Sequence, residues 1–177
     1  IIVLFVAILG QGSSGKAMMK AEMPGPNKEG SKPRMQHTAL VFASIYVSLN
    51  VILTVIYVVE GMSLYDAACH AFGTMATGGF STYHSSLGHF DSPMIEYTTI
   101  LFMILAGTNF TLLYATLLGG PIKLLKDTEF RVFVGIIGAV TAGVIFFGMR
   151  ANDENFATFN SSFRHGLFQV VSILTTT

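Results

Sequence analysis

Thr74-Met75-Ala76-Thr77-Gly78-Gly79-Phe80-Ser81-Thr82 closes a run, 63 to 76, that is too short to cross a bilayer and lies between two apolar stretches, 39 to 60 and 94 to 118, that are long enough. A hydrocarbon core takes roughly 20 helical residues to span, so the chain between the two crossings is expected to enter the membrane and turn back. Non-helical backbone is tolerated at that depth only where protein buries it or where it lines an aqueous pathway. Gly78 and Gly79 supply the dihedrals that let successive carbonyl oxygens face one axis and replace the water around an ion. This order predicts a cation pore loop with Thr77, Gly78, Gly79 and Phe80 as its filter. The Thr hydroxyls would be weak additional oxygen ligands, and Phe80 would wedge the turn against the surrounding helices. A tight turn on a surface loop is the plain alternative, and the flanking crossings argue against it.

Composition agrees with a membrane setting. Hydrophobic residues make up 51% of the chain and charged residues 11%, with no Trp, and the mean hydropathy is positive; these values argue against a soluble domain. The formal net charge is zero, so no basic field points to nucleic acid. A single cysteine, Cys69, excludes an internal disulfide framework and any multi-cysteine metal site, and it reads as a small packing residue. The chain opens on Ile1 inside an apolar run without an initiator Met. It stops on Thr175-Thr176-Thr177 without a helix-ending signal, so an internal piece of a longer protein, unable to fold alone, is expected.

Along the chain, 1 to 10 reads as the tail of a membrane helix and 11 to 38 as a polar loop carrying Lys16, Lys20, Lys28, Lys32 and Arg34. Residues 39 to 60 form the first full crossing. Ser63 and Asp66 resemble an N-terminal cap with acid in the first turn, opening a short re-entrant helix over 63 to 76. A polar segment with His84, His89 and Asp91 follows, then a crossing over 94 to 118 that Gly119, Gly120 and Pro121 end. A loop, 121 to 131, leads to a crossing at 132 to 149 that is rich in Gly and Ala, which would let helices approach closely. After a polar loop, 150 to 162, a second re-entrant helix is expected at 163 to 174, with Ser161 or Ser162 as its cap and 175 to 177 beginning a second filter. The two re-entrant runs lie about one hundred residues apart, so membrane helix, short helix, turn and membrane helix form a repeat. The fold class expected is an all-α membrane protein.

Eight of the ten Lys and Arg residues fall in 11 to 38 and 121 to 131, and basic loops stay on the cytoplasmic side. The opposite loops hold Arg150 and Arg164 against Glu60, Asp66, Asp91, Glu96, Asp153 and Glu154. Both hairpins are therefore expected to enter from outside. A helix that ends inside the membrane aims the partial negative charge of its last carbonyls inward, where it favours a dehydrating cation.

Four stretches carry a family resemblance: Ala21-Glu22-Met23-Pro24-Gly25-Pro26, His70-Ala71-Phe72, Ala76-Thr77-Gly78-Gly79-Phe80-Ser81-Thr82 and Phe168-Gln169-Val170-Val171-Ser172-Ile173-Leu174-Thr175-Thr176-Thr177. On these the chain resembles the Trk/Ktr/HKT superfamily of potassium and sodium transporters, and within it the bacterial TrkH type. The resemblance implies four helix, pore helix, helix repeats around a pseudo-fourfold pore, each lending one filter strand. Residues 1 to 10 would then end repeat one, 39 to 120 would be repeat two and 121 to 177 the first part of repeat three. It implies that Thr77 to Phe80 form the second filter strand with Gly79 as its characteristic glycine, and that Thr175, Thr176 and Thr177 begin the third. K+ would be held at Thr77, Gly78, Gly79, Thr176 and Thr177. It further implies K+ uptake without a cofactor, a bacterial inner-membrane location, a homodimer and a cytosolic nucleotide-binding regulatory subunit. A Na+-permeable or Na+-coupled relative is the alternative.

Several side chains have competing readings. His70 is read as packed and hydrogen-bonded, with ligand or proton carrier as the alternative. His84 and His89 with Asp91 are read as a solvated loop in preference to a weak metal site. Glu60 and Glu96 either concentrate cations at the outer face or are merely hydrated. Asn109, beside Gly107, Thr108 and Thr111, makes a polar patch in mid-membrane, either between helices or on an ion path. The basic loop 11 to 38 either sets topology or meets a regulatory partner or anionic lipid. An intramembrane enzyme using His70 and His165 is disfavoured, since no His-Glu-x-x-His, no Gly-x-Ser-x-Gly and no acid-base constellation at fixed spacing occurs.

Overall fold

The computed structural model describes residues 32–120, 122–150 and 159–177. Within them the chain forms α1 (Lys32–Val59), α2 (Leu64–Met75), a single 3-10 turn (Ser86–Phe90), α3 (Pro93–Gly107), α4 (Phe110–Gly119), α5 (Ile122–Lys126), α6 (Thr128–Arg150) and α7 (Phe159–Thr175). The expected helix at 1 to 10 and most of the basic loop lie outside the described residues.

Among the described residues two helices are long and apolar enough to cross a membrane, Leu40–Val59 within α1 and Thr128–Gly148 within α6, and the bent pair Pro93–Gly107 and Phe110–Leu117 makes a third if it is one span. α1 packs along α2, and α7 lies between α3 and α6. The first contact is close because α2 presents Ala67 and Ala71, both fully buried, to a core that contains Leu53 and Tyr57. Small side chains let helix axes approach where lipid offers no hydrophobic drive to associate. Tyr57 joins α1 to α3 by donating to Thr99 Oγ1 at 2.6 Å, since the Thr99 hydroxyl proton is committed to the Ile95 carbonyl at 2.7 Å. A second cluster, Ile100, Met103, Ile137 and Val171, seats α7 between α3 and α6.

The structure corrects several expected boundaries. α1 already covers Lys32, inside the stretch 11 to 38 expected as loop, and Ile122–Lys126 within the expected loop 121 to 131 is helical. The crossing over 94 to 118 is not continuous: α3 and α4 are bent by 102°. Thr108 interrupts the ladder with extended backbone, its hydroxyl bonded back to the Ile104 carbonyl at 2.7 Å. Asn109 Oδ1 then accepts the Thr111 N–H at 2.9 Å and caps a new helix. The polar patch around Asn109 is thus a helix stop followed by a helix start. The crossing expected from 132 begins at Thr128, because Asp127 Oδ1 accepts the N–H groups of Glu129 and Phe130. Ser161 and Ser162 do not cap the second re-entrant helix; α7 has already started at Phe159, and Ser162 is fully buried.

Candidate functional site: two turns that meet

Three helices end in the same hydrogen-bond pattern, and the residue used at the turn differs. At the end of α1, the Gly61 N–H bonds the Val58 carbonyl and the Met62 N–H the Tyr57 carbonyl, with Gly61 at φ +104°. This is the Schellman arrangement, which places its turning residue in left-handed backbone and favours glycine there. At the end of α2, Thr77 N–H bonds Thr74 at 3.1 Å and Gly78 N–H bonds Gly73 at 2.8 Å, with Thr77 at φ 51°. At the end of α7, Thr176 N–H bonds Ile173 at 3.3 Å and Thr177 N–H bonds Ser172 at 2.9 Å, with Thr176 at φ 59°. A β-branched residue in this region is an outlier, and such strain collects where function demands it. The repeat expected from the sequence therefore extends to a matching backbone distortion on Thr77 and Thr176.

The strand after the first turn folds back on its own helix. The Gly73 carbonyl also receives the Gly79 N–H at 3.4 Å, and a Cβ on Gly73 would fall 2.8 Å from the Phe80 carbonyl oxygen. Gly73 is thus required inside α2 by close approach, the usual meaning of an isolated glycine in a helical pattern. Among the described residues no hydrogen-bond donor reaches the carbonyls of Thr77, Gly78, Gly79 or Phe80. Thr77 is half-buried and Gly78, Gly79 and Phe80 are exposed, so these oxygens lie open at the negative end of the α2 dipole, where a cation is favoured. Phe80 does not wedge between helices: it is 80% exposed, with its ring against Gly78.

The two turns meet. A Cβ on Gly79 would lie 2.8 Å from the Thr177 carbonyl carbon, so Gly79 touches the start of the second strand. Thr175 is buried against the α3 terminus, where a Cβ on Gly107 would fall 2.9 Å from its Cγ2. Thr175 Oγ1 donates to the Val171 carbonyl and lies 3.0 Å from Thr177 Oγ1, while Ser172 Oγ donates to the Thr177 carbonyl.

The TrkH family model, described as a cation transport protein, matches residues 1–176. The chain belongs to the TrkH family. It is 39% identical over 99% of its length to the Trk system potassium uptake protein TrkH of Vibrio parahaemolyticus and, equally, to that of Escherichia coli K12. It is 35% identical to the Trk system potassium uptake protein TrkG of the latter organism. It superposes on the crystal structure of the potassium transporter TrkH from Vibrio parahaemolyticus with a TM-score of 0.76 at 31% identity, covering 97% of this chain and 34% of that one. The chain spans 37% of the length of the TrkH relatives it matches. The all-α membrane fold read from the sequence is therefore that of the TrkH family.

Within this TrkH-family chain, the strand leaving the first turn is clamped by side chains whose joint action the sequence did not show. Asp66 accepts the hydroxyls of Ser63 at 2.7 Å, Thr82 at 2.8 Å and Tyr83 at 3.2 Å. Those bonds, Ser63 and Thr82 first, hold its carboxyl below the usual carboxylate range against a partial counter-effect of desolvation. The sequence marked Ser63 and Asp66 as a cap, and Ser63 Oγ does accept the Asp66 N–H at 3.1 Å. Only the return of the chain reveals Thr82 and Tyr83 as further partners.

His70 is buried and bonded to the Asp66 carbonyl and Ser81 Oγ, as the packed reading expected. His89 stacks on Tyr83 at 3.8 Å, and among the described residues no group of three or more His, Cys, Asp or Glu could hold a metal. Glu96 pairs with Arg164 at 3.2 Å, tying α3 to α7, and Glu60 Oε1 accepts the Thr98 hydroxyl at 2.6 Å. Both acids thus serve helix junctions. His165 Nε2 lies 3.3 Å from the guanidinium of Arg164.

Proposed function

We propose that this chain is part of a bacterial potassium uptake transporter of the inner membrane and builds two neighbouring strands of its selectivity filter. The observation that carries this reading is the contact of Gly79 with Thr177, which brings together two turns with the same backbone distortion and unpaired carbonyls on the first. K+ is the ion because the relatives of highest identity named above are potassium uptake proteins. Its task is to exchange hydration oxygens for those of Thr77, Gly78, Gly79, Thr176 and Thr177. No covalent chemistry and no cofactor are involved. Phe80 and Thr175 complete the two filter segments from outside the ion's first shell. The basic loops face the cytoplasm, where a nucleotide-binding regulatory subunit would dock, and the transporter works as a homodimer in lipid.

The test is K+ uptake by the full-length transporter carrying Gly79→Ser, in potassium-starved cells, with membrane expression checked and Na+ competition recorded. Uptake that is lost or becomes Na+-tolerant at normal expression places Gly79 in the filter. Unchanged uptake and selectivity reduce the hairpin to an ordinary turn.

A further inference from the structure

His70 is buried in α2 and bonded to the strand that returns along it. Its Nδ1 is 2.8 Å from the Asp66 carbonyl, which only accepts, so Nδ1 carries the proton. In the neutral ring Nε2 is then an acceptor, and the Ser81 hydroxyl donates to it at 2.9 Å. Ser81 Oγ in turn accepts the Tyr83 N–H at 3.1 Å. The run Tyr83 N–H, Ser81 hydroxyl, His70 ring, Asp66 carbonyl has one direction and no spare donor. The ring is 3% exposed, with Phe90 edge-on at 5.6 Å, so it cannot follow the strand if the strand shifts.

We propose that His70 is a positioning residue for the ion pathway: through Ser81 it sets the path of the strand as it leaves Phe80 and hence the spacing of the carbonyls offered to the cation. Ser81 adjoins Phe80, whose carbonyl oxygen is already pressed against Gly73. A movement at Ser81 therefore passes into the filter backbone with little slack. The Asp66 bonds to Thr82 and Tyr83 are separate, so they keep the hairpin folded when the imidazole is lost. Gln169 occupies the register of His70 in α7, about two turns before its own left-handed threonine. A glutamine amide there offers an acceptor at the reach of Nε2, so Gln is the conservative replacement.

The inference rests on the filter reading, and four variants of the full-length transporter separate the two. K+ and Na+ uptake in potassium-starved cells is measured for His70→Phe, Ser81→Ala, His70→Gln and the reference Gly79→Ser, each normalised to membrane expression. His70→Phe and Ser81→Ala are expected to lower the K+ preference over Na+ by about fivefold, the scale of one lost hydrogen bond. Their double variant is expected to be no worse than either alone, the mark of a shared interaction, and His70→Gln to retain most of the preference. If Ser81→Ala, which leaves the His70 packing intact, keeps its selectivity and KM while Gly79→Ser changes them, His70 is only a core residue and the inference is overturned. If Gly79→Ser changes nothing, the filter reading itself falls and takes the inference with it.

Discussion

Gly79 rests on the carbonyl carbon of Thr177, close enough that a Cβ would stand 2.8 Å from it. Its φ of +63° is one that side chains rarely adopt. Two independent costs therefore fall on any substitution. Gly79→Ala is expected to disturb both of the proposed filter strands at once, so K+ preference should drop by about tenfold or more, whereas Gly88→Ala, at a glycine with open space around it, should leave uptake unchanged. Ion competition in whole cells reads the difference. Equal behaviour of the two variants would show that the approach of Gly79 to Thr177 has no part in selection.

Thr77 and Thr176 hold the left-handed position that Gly61 holds at the end of α1. Replacing either threonine with glycine should relieve about 1 kcal/mol of backbone strain and raise thermal stability of the detergent-solubilised transporter. If the hydroxyl assists the ion, the same variants should raise the KM for K+. A Thr77→Gly transporter that is more stable and transports normally would leave the strain without a functional purpose.

Glu96 and Arg164 lie 3.2 Å apart with only 13% and 18% of their side chains exposed. Glu96→Gln leaves the guanidinium poorly compensated and should lower stability by about 1–3 kcal/mol, between the values for exposed and buried pairs. Exchanging the two residues should recover part of the loss, whereas Glu96→Gln alone should not alter ion preference. Thermal unfolding and ion competition on the same preparations check both statements.

Asp66 is held below the ordinary carboxylate range mainly by the Ser63 and Thr82 hydroxyls. A group whose pKa is depressed on folding contributes stability that is fully present above its unfolded pKa and lost as pH falls through its folded one. The hairpin should therefore be insensitive to pH from neutrality down to about pH 4, where a free aspartate titrates, and weaken below it. Asp66→Asn, which lacks one acceptor oxygen, should show that weakening at neutral pH and abolish the acid dependence. Protease accessibility of the 78 to 92 segment across pH measures it.

Helix ends were legible wherever the chemistry is local. Ser63 caps α2 as its spacing to Asp66 predicts, and Asp127 caps α6 by the same local chemistry. The break at Thr108 and Asn109 was harder. Gly107, Thr108 and Asn109 are individually tolerated within an apolar run; together, through the Thr108 bond to Ile104 and the Asn109 cap, they stop one helix and start the next.

The sequence by itself determined the membrane setting, the two short helices and the glycines of the first turn, because hydropathy over a span length and the backbone freedom of glycine are properties of short segments. The tertiary structure decided which groups meet. That Gly79 touches Thr177, that Asp66 holds Thr82 and Tyr83, and that His70 holds Ser81 all depend on where the chain returns after a turn. That return path is set by the packing of α2 on α1 and of α7 on α3 and α6, contacts between elements that no pattern within one element encodes.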